Sequence, residues 1–160
     1  MSGFDLQSYL PYLINRTGVR ISDQFGVELR RFDLTIAMWR VLAALWHDGS
    51  MRLSDLAAST SIEVSTLSRQ ITGMQQRGLV TRTRATDDAR AVDVDFTPEG
   101  RGITSQIIPH AVAYEIQALQ GFTEAEAATL RRLLTRLYEN LEEAESPAEA
   151  LVAEPCAAAG

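Results

Sequence analysis

The spacing of apolar residues changes at Gly78, and this change constrains the fold more than any other feature of the sequence. Before Gly78, apolar residues recur at steps of three, four and three along a helix from Glu63 to Arg77, which predicts one buried stripe made of Val64, Leu67, Ile71 and Met74. After it, apolar and polar residues alternate from Val92 to Phe96, as in a half-exposed strand. Leu79 to Arg84 is the natural partner strand, and residues 85–90 connect the two. The sequence therefore predicts a helix closed by a glycine and followed at once by a two-stranded hairpin.

Further helices are predicted before this unit. A first helix is expected from Ser8 to Arg31, and a second begins near Asp33 or Thr35, because either side chain can cap its free N–H groups, and stops before Gly49.

A short helix from Ser54 to Ser59 and a tight turn through residues 60–62 precede the long helix. Beyond the hairpin, Thr97-Pro98 begins a helix that ends at Gly121, and the capping box Thr123–Glu126 begins a last one. The predicted fold class is mainly α with a small β-hairpin.

Charge is unevenly distributed along the chain. The formal net charge is −6, which is unusual for a protein that binds nucleic acid. From Val64 to Arg84, however, there is no carboxylate and there are four arginines, Arg69, Arg77, Arg82 and Arg84. A local basic face matters more for attracting phosphates than the total charge does, so DNA binding stays open.

A short helix, a tight turn and a second helix can place one exposed face in the major groove of DNA. The outward face of the second helix carries hydroxyls, an amide and one arginine, groups that can bind base edges and phosphates. We expect the DNA-contacting residues of this helix to be Ser65, Thr66, Ser68, Arg69, Thr72 and Gln76. The alternative is a polar outer face that binds nothing; the absence of carboxylates favours DNA.

The hairpin concentrates arginines on one small element, namely Arg82, Arg84 and Arg90. An arginine at the tip of such a hairpin can enter the minor groove, and Asp88 is spaced to hold Arg90 by a charge-assisted bond. A charged hairpin alone is usually a solvated loop. Directly after a helix-turn-helix, it is typical of a DNA-binding wing.

These residues carry a family resemblance. The matching stretches are Leu34-Thr35, Trp39-Arg40-Val41-Leu42, Leu56-Ala57, Ser65-Thr66-Leu67-Ser68-Arg69, Arg77-Gly78-Leu79-Val80 with Arg82, and Asp88-Ala89-Arg90 followed by Phe96-Thr97-Pro98-Glu99-Gly100. Over about residues 10 to 140 the chain resembles the MarR family of transcriptional regulators, winged helix-turn-helix proteins. Phe96 stands where the family usually has leucine, a conservative change at a buried strand position.

The resemblance implies a homodimer on a palindromic operator of double-stranded DNA, with interleaved terminal helices. The apolar stripes Leu10–Ile14–Ile21–Phe25 and Leu130–Leu133–Leu137–Leu141 fit this, since no other partner is evident; packing within one chain is the alternative. The expected segments are an N-terminal dimerisation helix (1–32), the winged helix-turn-helix lobe (33–100), C-terminal dimerisation helices (101–145) and a disordered tail (146–160).

The resemblance also implies release from DNA by a small effector. Family members commonly respond to an aromatic or phenolic acid bound between the dimer helices and the DNA-binding lobe, so an aromatic acid or its CoA thioester is expected. Aromatic rings beside arginines suit such ligands, and the candidate lining is Tyr12, Arg16, Arg20, Trp39, Arg40, His47, His110 and Tyr114. The alternatives are that Trp39 and Tyr114 belong to the core and that the arginines are solvated.

Other functions find little support. The two histidines lack a nucleophile, a paired carboxylate motif or a phosphate loop, so neither an enzyme nor a cofactor or metal site is expected. Oxidation sensing is a weak alternative, because the single cysteine, Cys156, lies in an acidic tail. The N-terminus does not resemble a signal peptide and no segment resembles a membrane span, so a cytoplasmic protein is expected. A winged-helix module that binds only a partner protein is the remaining alternative.

Overall fold

The computed structural model describes residues 4–85 and 91–143. Its elements follow the order α1 (Leu10–Leu29), a 3₁₀ turn (Arg30–Phe32), α2 (Ile36–Asp48), β1 (Met51–Arg52), α3 (Leu53–Thr60), α4 (Val64–Gln76), β2 (Val80–Arg84), β3 (Val92–Phe96), α5 (Pro98–Ala118) and α6 (Glu124–Glu143). The prediction of a mainly helical chain with a small β wing is confirmed. The predicted tail from Ser146, with Cys156, lies outside the described residues.

The junction between α1 and α2 is a tight reversal. The chain leaves the 3₁₀ turn through Asp33, whose backbone is left-handed (φ 55°). Of the two candidate caps for the second helix, Thr35 serves: its hydroxyl accepts the N–H of Met38 at 3.2 Å. This satisfies one of the free N–H groups at the start of α2.

The corner between α3 and α4 contains the predicted tight turn. Ser61 has a left-handed backbone (φ 52°) and ends α3, and Glu63 caps α4. Leu67, Ile71 and Met74 are fully buried, as the stripe predicts. The inclusion of Val64 in that stripe is wrong, since it is 48% exposed. At 100° per residue it lies about 50° from the mean direction of the other three, and it is the first residue of the helix.

The sheet has three strands where the sequence predicted two. β3 lies in the centre, with β2 and β1 antiparallel on either side, in the order β1-β3-β2. Arg82 pairs with Val94, and Met51 pairs with Val94 from the other side. The predicted hairpin is present, and Phe96 is buried as expected. The correction is the added strand β1, which has two residues and therefore no alternation to detect.

One hydrophobic core contains residues of every helix from α1 to α5 and of the sheet. Its fully buried side chains include Leu29, Leu42, Leu45, Leu56 and Ile107, with Val80 and Val94 from the sheet. Contacts divide the chain into two compact units, and the boundary falls after Glu115, inside α5. Among the described residues, no helix is long and apolar enough to cross a membrane.

Both helix starts predicted after the hairpin are present. Thr97 accepts the N–H of Gly100 at 2.9 Å at the start of α5. In the second unit, Thr123 and Glu126 form the predicted capping box: each backbone N–H binds the other's side chain, at 2.8 and 3.2 Å.

Candidate nucleic-acid interface

Helix α4 has two unlike faces. One face is the fully buried stripe of Leu67, Ile71 and Met74, which fixes the rotation of the helix about its axis. The other carries the residues expected to contact DNA, of which Ser65, Thr66, Arg69, Thr72 and Gln76 are exposed and Ser68 is half-buried. The core therefore presents the polar row of α4 to solvent.

The N-terminus of α4 is capped by a carboxylate that sequence reasoning did not assign. Glu63 accepts the backbone N–H groups of Ser65 and Thr66, both at 2.9 Å, and also the Ser65 hydroxyl. These bonds favour the ionised form of Glu63, and the bond from the Ser65 hydroxyl has the largest effect. Together they lower the pKa of Glu63 from its ordinary value of 4.5 to about 2. Glutamate is not among the usual N-cap residues, which are Asn, Asp, Ser, Thr and Gly, so no standard signal in the sequence marked this cap.

Arg82 of β2 reaches across to α4. Its Nη1 donates to the Thr72 hydroxyl at 3.0 Å, and its Nη2 donates to the Ser68 hydroxyl at 3.5 Å. The Thr72 hydroxyl in turn donates to the backbone carbonyl of Ser68 at 2.9 Å. Three of the predicted DNA-contacting residues are thus joined to one another.

The remaining predicted DNA residues are less constrained. Nη2 of Arg69 lies 3.4 Å from the Thr66 hydroxyl, a weak bond that leaves most of its donors free. The side chains of Gln76 and Arg84 are exposed and form no hydrogen bond or ion pair with another described residue. Asp88 and Arg90, at the predicted tip of the wing, lie outside the described residues.

The C-terminus of α4 is tied to α2 by Arg77. Its Nη2 lies 3.1 Å from the Asp33 carboxylate, and its Nη1 donates to the Met38 sulfur at 3.4 Å. The sequence analysis counted Arg77 among the basic residues but did not predict this ion pair. It connects the reversal before α2 directly to the helix with the polar row.

Two of the predicted effector residues, Trp39 and Tyr114, meet around Phe25. The Phe25 ring lies 5.5 Å from that of Trp39 and 5.6 Å from that of Tyr114, centroid to centroid. The Tyr114 hydroxyl donates to Gln24 at 2.8 Å. Both residues are partly buried and pack against the core.

The other predicted effector residues are more dispersed. His110 lies 3.6 Å from the Glu28 carboxylate, and His47 is exposed beside Asp48. Tyr12 is half-buried, and Arg16, Arg20 and Arg40 are exposed. A groove of about 360 Å³ between α1 and α2 contains none of the predicted set; it is lined by Ser22, Asp23, Gly26, Arg30, Leu34, Thr35 and Ile36. Within the described part of the chain, no group of three metal-ligating side chains is present.

Comparison with known proteins agrees with this architecture. A model of the MarR family matches residues 34–92. The crystal structure of a MarR-family transcriptional regulator from Silicibacter pomeroyi has 30% sequence identity and a TM-score of 0.79, over 91% of this chain and 99% of that one.

Two further relatives have 27% identity. Bordetella bronchiseptica BpsR, whose DNA binding is regulated by 6-hydroxynicotinic acid, matches with a TM-score of 0.73 over 81% of this chain and 98% of its own. The transcriptional repressor IacR of Pseudomonas putida matches over 133 residues, 82% of this chain and 78% of the repressor. These relatives are transcriptional regulators and not enzymes. The fold, the position of the polar helix and these similarities agree: the chain belongs to the MarR family of transcriptional regulators.

Proposed function

We propose that this regulator binds a palindromic DNA operator through α4 and the wing, and that it acts as a repressor released by a small aromatic acid or its CoA thioester. The observation that carries the DNA part is the two-faced helix α4. Its exposed row of hydroxyl, amide and guanidinium groups belongs to a stretch without carboxylates, residues 64–84, while its opposite face is locked in the core. Such a face can donate hydrogen bonds to phosphates and bases.

Selection of binding sites from a random duplex library tests this proposal. We expect an inverted repeat to be enriched, with half-sites about 10 base pairs apart, because a two-fold dimer places two recognition helices one DNA turn apart. Fluorescence anisotropy should then show that affinity for random duplexes falls steeply with salt, as phosphate contacts require. If no site is enriched and no salt-dependent binding is seen, the chain is instead a winged-helix module for a protein partner.

The proposed dimer accounts for apolar surface that one chain leaves exposed. On α1, Leu10 is 53% and Ile21 43% exposed, whereas Phe25 of the same predicted stripe is buried in the core. On α6, Leu133 is 41% and Leu141 68% exposed. Apolar surface of this extent marks an interface, and we assign a second copy of the chain to it. Segments 1–32 and 101–145 would then hold the dimer, and segment 33–100 would read DNA.

The proposed effector is supported by chemistry and by one relative. BpsR responds to 6-hydroxynicotinic acid, a planar aromatic carboxylic acid. Here the exposed guanidinium groups of Arg16 and Arg20, one turn apart on α1, and of Arg40 on α2 are available for an acid. With Trp39 and Tyr114 engaged around Phe25, the arginines are the stronger candidates for ligand contact.

Calorimetry tests the effector with three probes: 6-hydroxynicotinic acid, benzoic acid and benzoyl-CoA. We expect at least one to bind, and its affinity to fall in an Arg16→Ala, Arg40→Ala double variant but not in Arg132→Ala, which removes a charge from α6. Linkage requires that a ligand lowering DNA affinity tenfold is itself bound tenfold more weakly in the presence of DNA. If no probe binds, or if the double variant binds unchanged, this effector site is wrong.

A further inference from the structure

We propose that Arg82 is a positioning residue that does not itself contact DNA. Its guanidinium holds strand β2 of the wing against helix α4 and so fixes the orientation of the wing relative to that helix. This deepens the proposed function and rests on it. The juxtaposition that carries the inference is the strand residue Arg82 against two hydroxyls on one face of α4, those of Ser68 and Thr72.

The geometry suits a two-pronged arginine. Ser68 and Thr72 are four residues apart and so are neighbours on the helix surface, one turn from each other. The planar guanidinium presents several donors in a fixed fork, so one side chain reaches both hydroxyls: the bond to Thr72, at 3.0 Å, is the main one, and the bond to Ser68, at 3.5 Å, is weak. Arg82 is half-buried in a strand that pairs residue by residue with β3, so its backbone is held as well.

These bonds also decide what the helix hydroxyls can offer to DNA. A threonine hydroxyl has one hydrogen, and that of Thr72 is donated to the Ser68 carbonyl while the oxygen accepts from Arg82. Thr72 therefore cannot donate to a phosphate or a base acceptor as long as both bonds hold. Ser65 is similarly committed, because its hydroxyl donates to Glu63. The Thr66 hydroxyl also donates to Glu63, so direct donation from α4 to DNA falls to Arg69, Gln76 and Ser68.

Arg84 shows the contrast. It lies two residues further along the same strand, so its side chain projects from the same face, yet this side chain is exposed and forms no bond with another described residue. An exposed arginine on the wing is suited to phosphate, whereas Arg82 directs both of its terminal guanidinium nitrogens at hydroxyls of α4. Prior fixation of wing and helix reduces the ordering required on binding, and this favours the operator that fits the fixed arrangement.

The test compares Arg82→Gln with Arg84→Gln, which remove the same charge from the same strand. Anisotropy titrations on the selected operator and on a random duplex, at several salt concentrations, give affinity, selectivity and the salt slope. We expect Arg84→Gln to lower the affinity for both duplexes by the same factor and to reduce the salt slope of binding by about one, as for a lost phosphate contact. Arg82→Gln should lower the affinity for the operator about tenfold and the affinity for random DNA little, and it should leave the salt slope unchanged. The reason is that the substitution removes a hydrogen bond of a charged group inside the protein and not a phosphate contact.

The partner variant Thr72→Val removes the hydroxyl without changing charge. We expect the loss of operator affinity caused by Thr72→Val to be non-additive with the loss caused by Arg82→Gln when the two are combined. Combined with Arg84→Gln, the two losses should add. A slope reduced by about one in Arg82→Gln, or losses of Arg82→Gln and Thr72→Val that simply add, would overturn the positioning role. If Arg82→Gln does not fold, Thr72→Val alone decides: reduced operator selectivity supports the role, and unchanged selectivity refutes it. Failure of the proposed function would appear earlier and separately, as absence of specific DNA binding by the unaltered chain.

Discussion

The first turn of α5 lies directly on the backbone that joins α4 to β2, and a Gly100→Ala substitution probes this contact. The N–H of Thr97 donates to the Leu79 carbonyl at 3.2 Å, and the Thr97 hydroxyl donates to the Gly78 carbonyl. A methyl group added at Gly100 would lie 1.9 Å from the Leu79 carbonyl oxygen and 2.8 Å from its carbon. The space that a side chain needs is occupied by main chain.

The size of the effect follows from these distances. A Cβ atom essentially never comes closer than 3.0 Å to such an atom. The backbone at residue 100 and the Leu79 carbonyl, 1.9 Å from the added methyl group, must therefore move apart by about 1.1 Å. Overpacking in a well-packed site costs about 1–3 kcal/mol. Alanine is better than glycine inside a helix by about 0.5–1 kcal/mol, which offsets only part of this. We expect Gly100→Ala to lower the free energy of unfolding by about 1–2 kcal/mol.

Gly102→Ala is the matched control, since it lies in the same helix and an added methyl group there meets nothing within 4 Å. We expect it to raise stability by about 0.5–1 kcal/mol through helix propensity alone. Urea unfolding at one fixed protein concentration measures both variants, because the stability of a dimer depends on concentration. If Gly100→Ala is as stable as Gly102→Ala, the close contact with Leu79 is wrong.

Three further outcomes are expected. Because folding lowers the pKa of Glu63, the stabilisation due to its cap is fully present above pH 4.5 and is lost as the pH falls towards about 2. In urea titrations, the stability difference between the unaltered chain and Glu63→Gln should therefore narrow as the pH is lowered. A constant difference would contradict the cap. Asp33→Asn, which breaks an ion pair whose carboxylate is 94% exposed, should cost less than about 1 kcal/mol in the same assay, and a larger loss would show that the pair with Arg77 fixes α4 strongly. A chain ending at Phe122 should not fold stably, because it lacks the apolar face of α6, and a folded monomer of this fragment in sedimentation would refute the dimer.

Local signals were sufficient for most of the fold. The stripe of α4, the glycine that ends it and the alternation of β3 are each encoded within a few residues, so the helix-turn-helix and the hairpin could be predicted. β1 could not be predicted: its two residues have no period, and their pairing with β3 joins positions more than forty residues apart. Val64 was wrongly included because the stripe was extended to the first residue of the helix, whose side chain points away from the core.

The candidate site was only partly accessible to sequence reasoning. The exposed row of α4 follows from the helical wheel once the buried stripe is known. The bonds from Arg82 to Ser68 and Thr72 do not, because they depend on how a strand and a helix are placed in space and on the reach of one side chain. The cap by Glu63 is local, since it binds backbone N–H groups two and three positions away, but glutamate is not among the usual N-cap residues and no standard signal marks it.

The central claim is that the polar face of α4 reads DNA bases, and the affinity of Arg69→Ala for the selected operator and for random duplex DNA tests it most directly. Arg69 is exposed in the middle of the row and keeps most of its donors free, so a paired contact with a guanine is available to it. The account predicts a loss of about 1–3 kcal/mol on the operator and much less on random DNA, with Arg132→Ala on α6 unchanged on both. Equal losses on the two duplexes, or none on either, would contradict it.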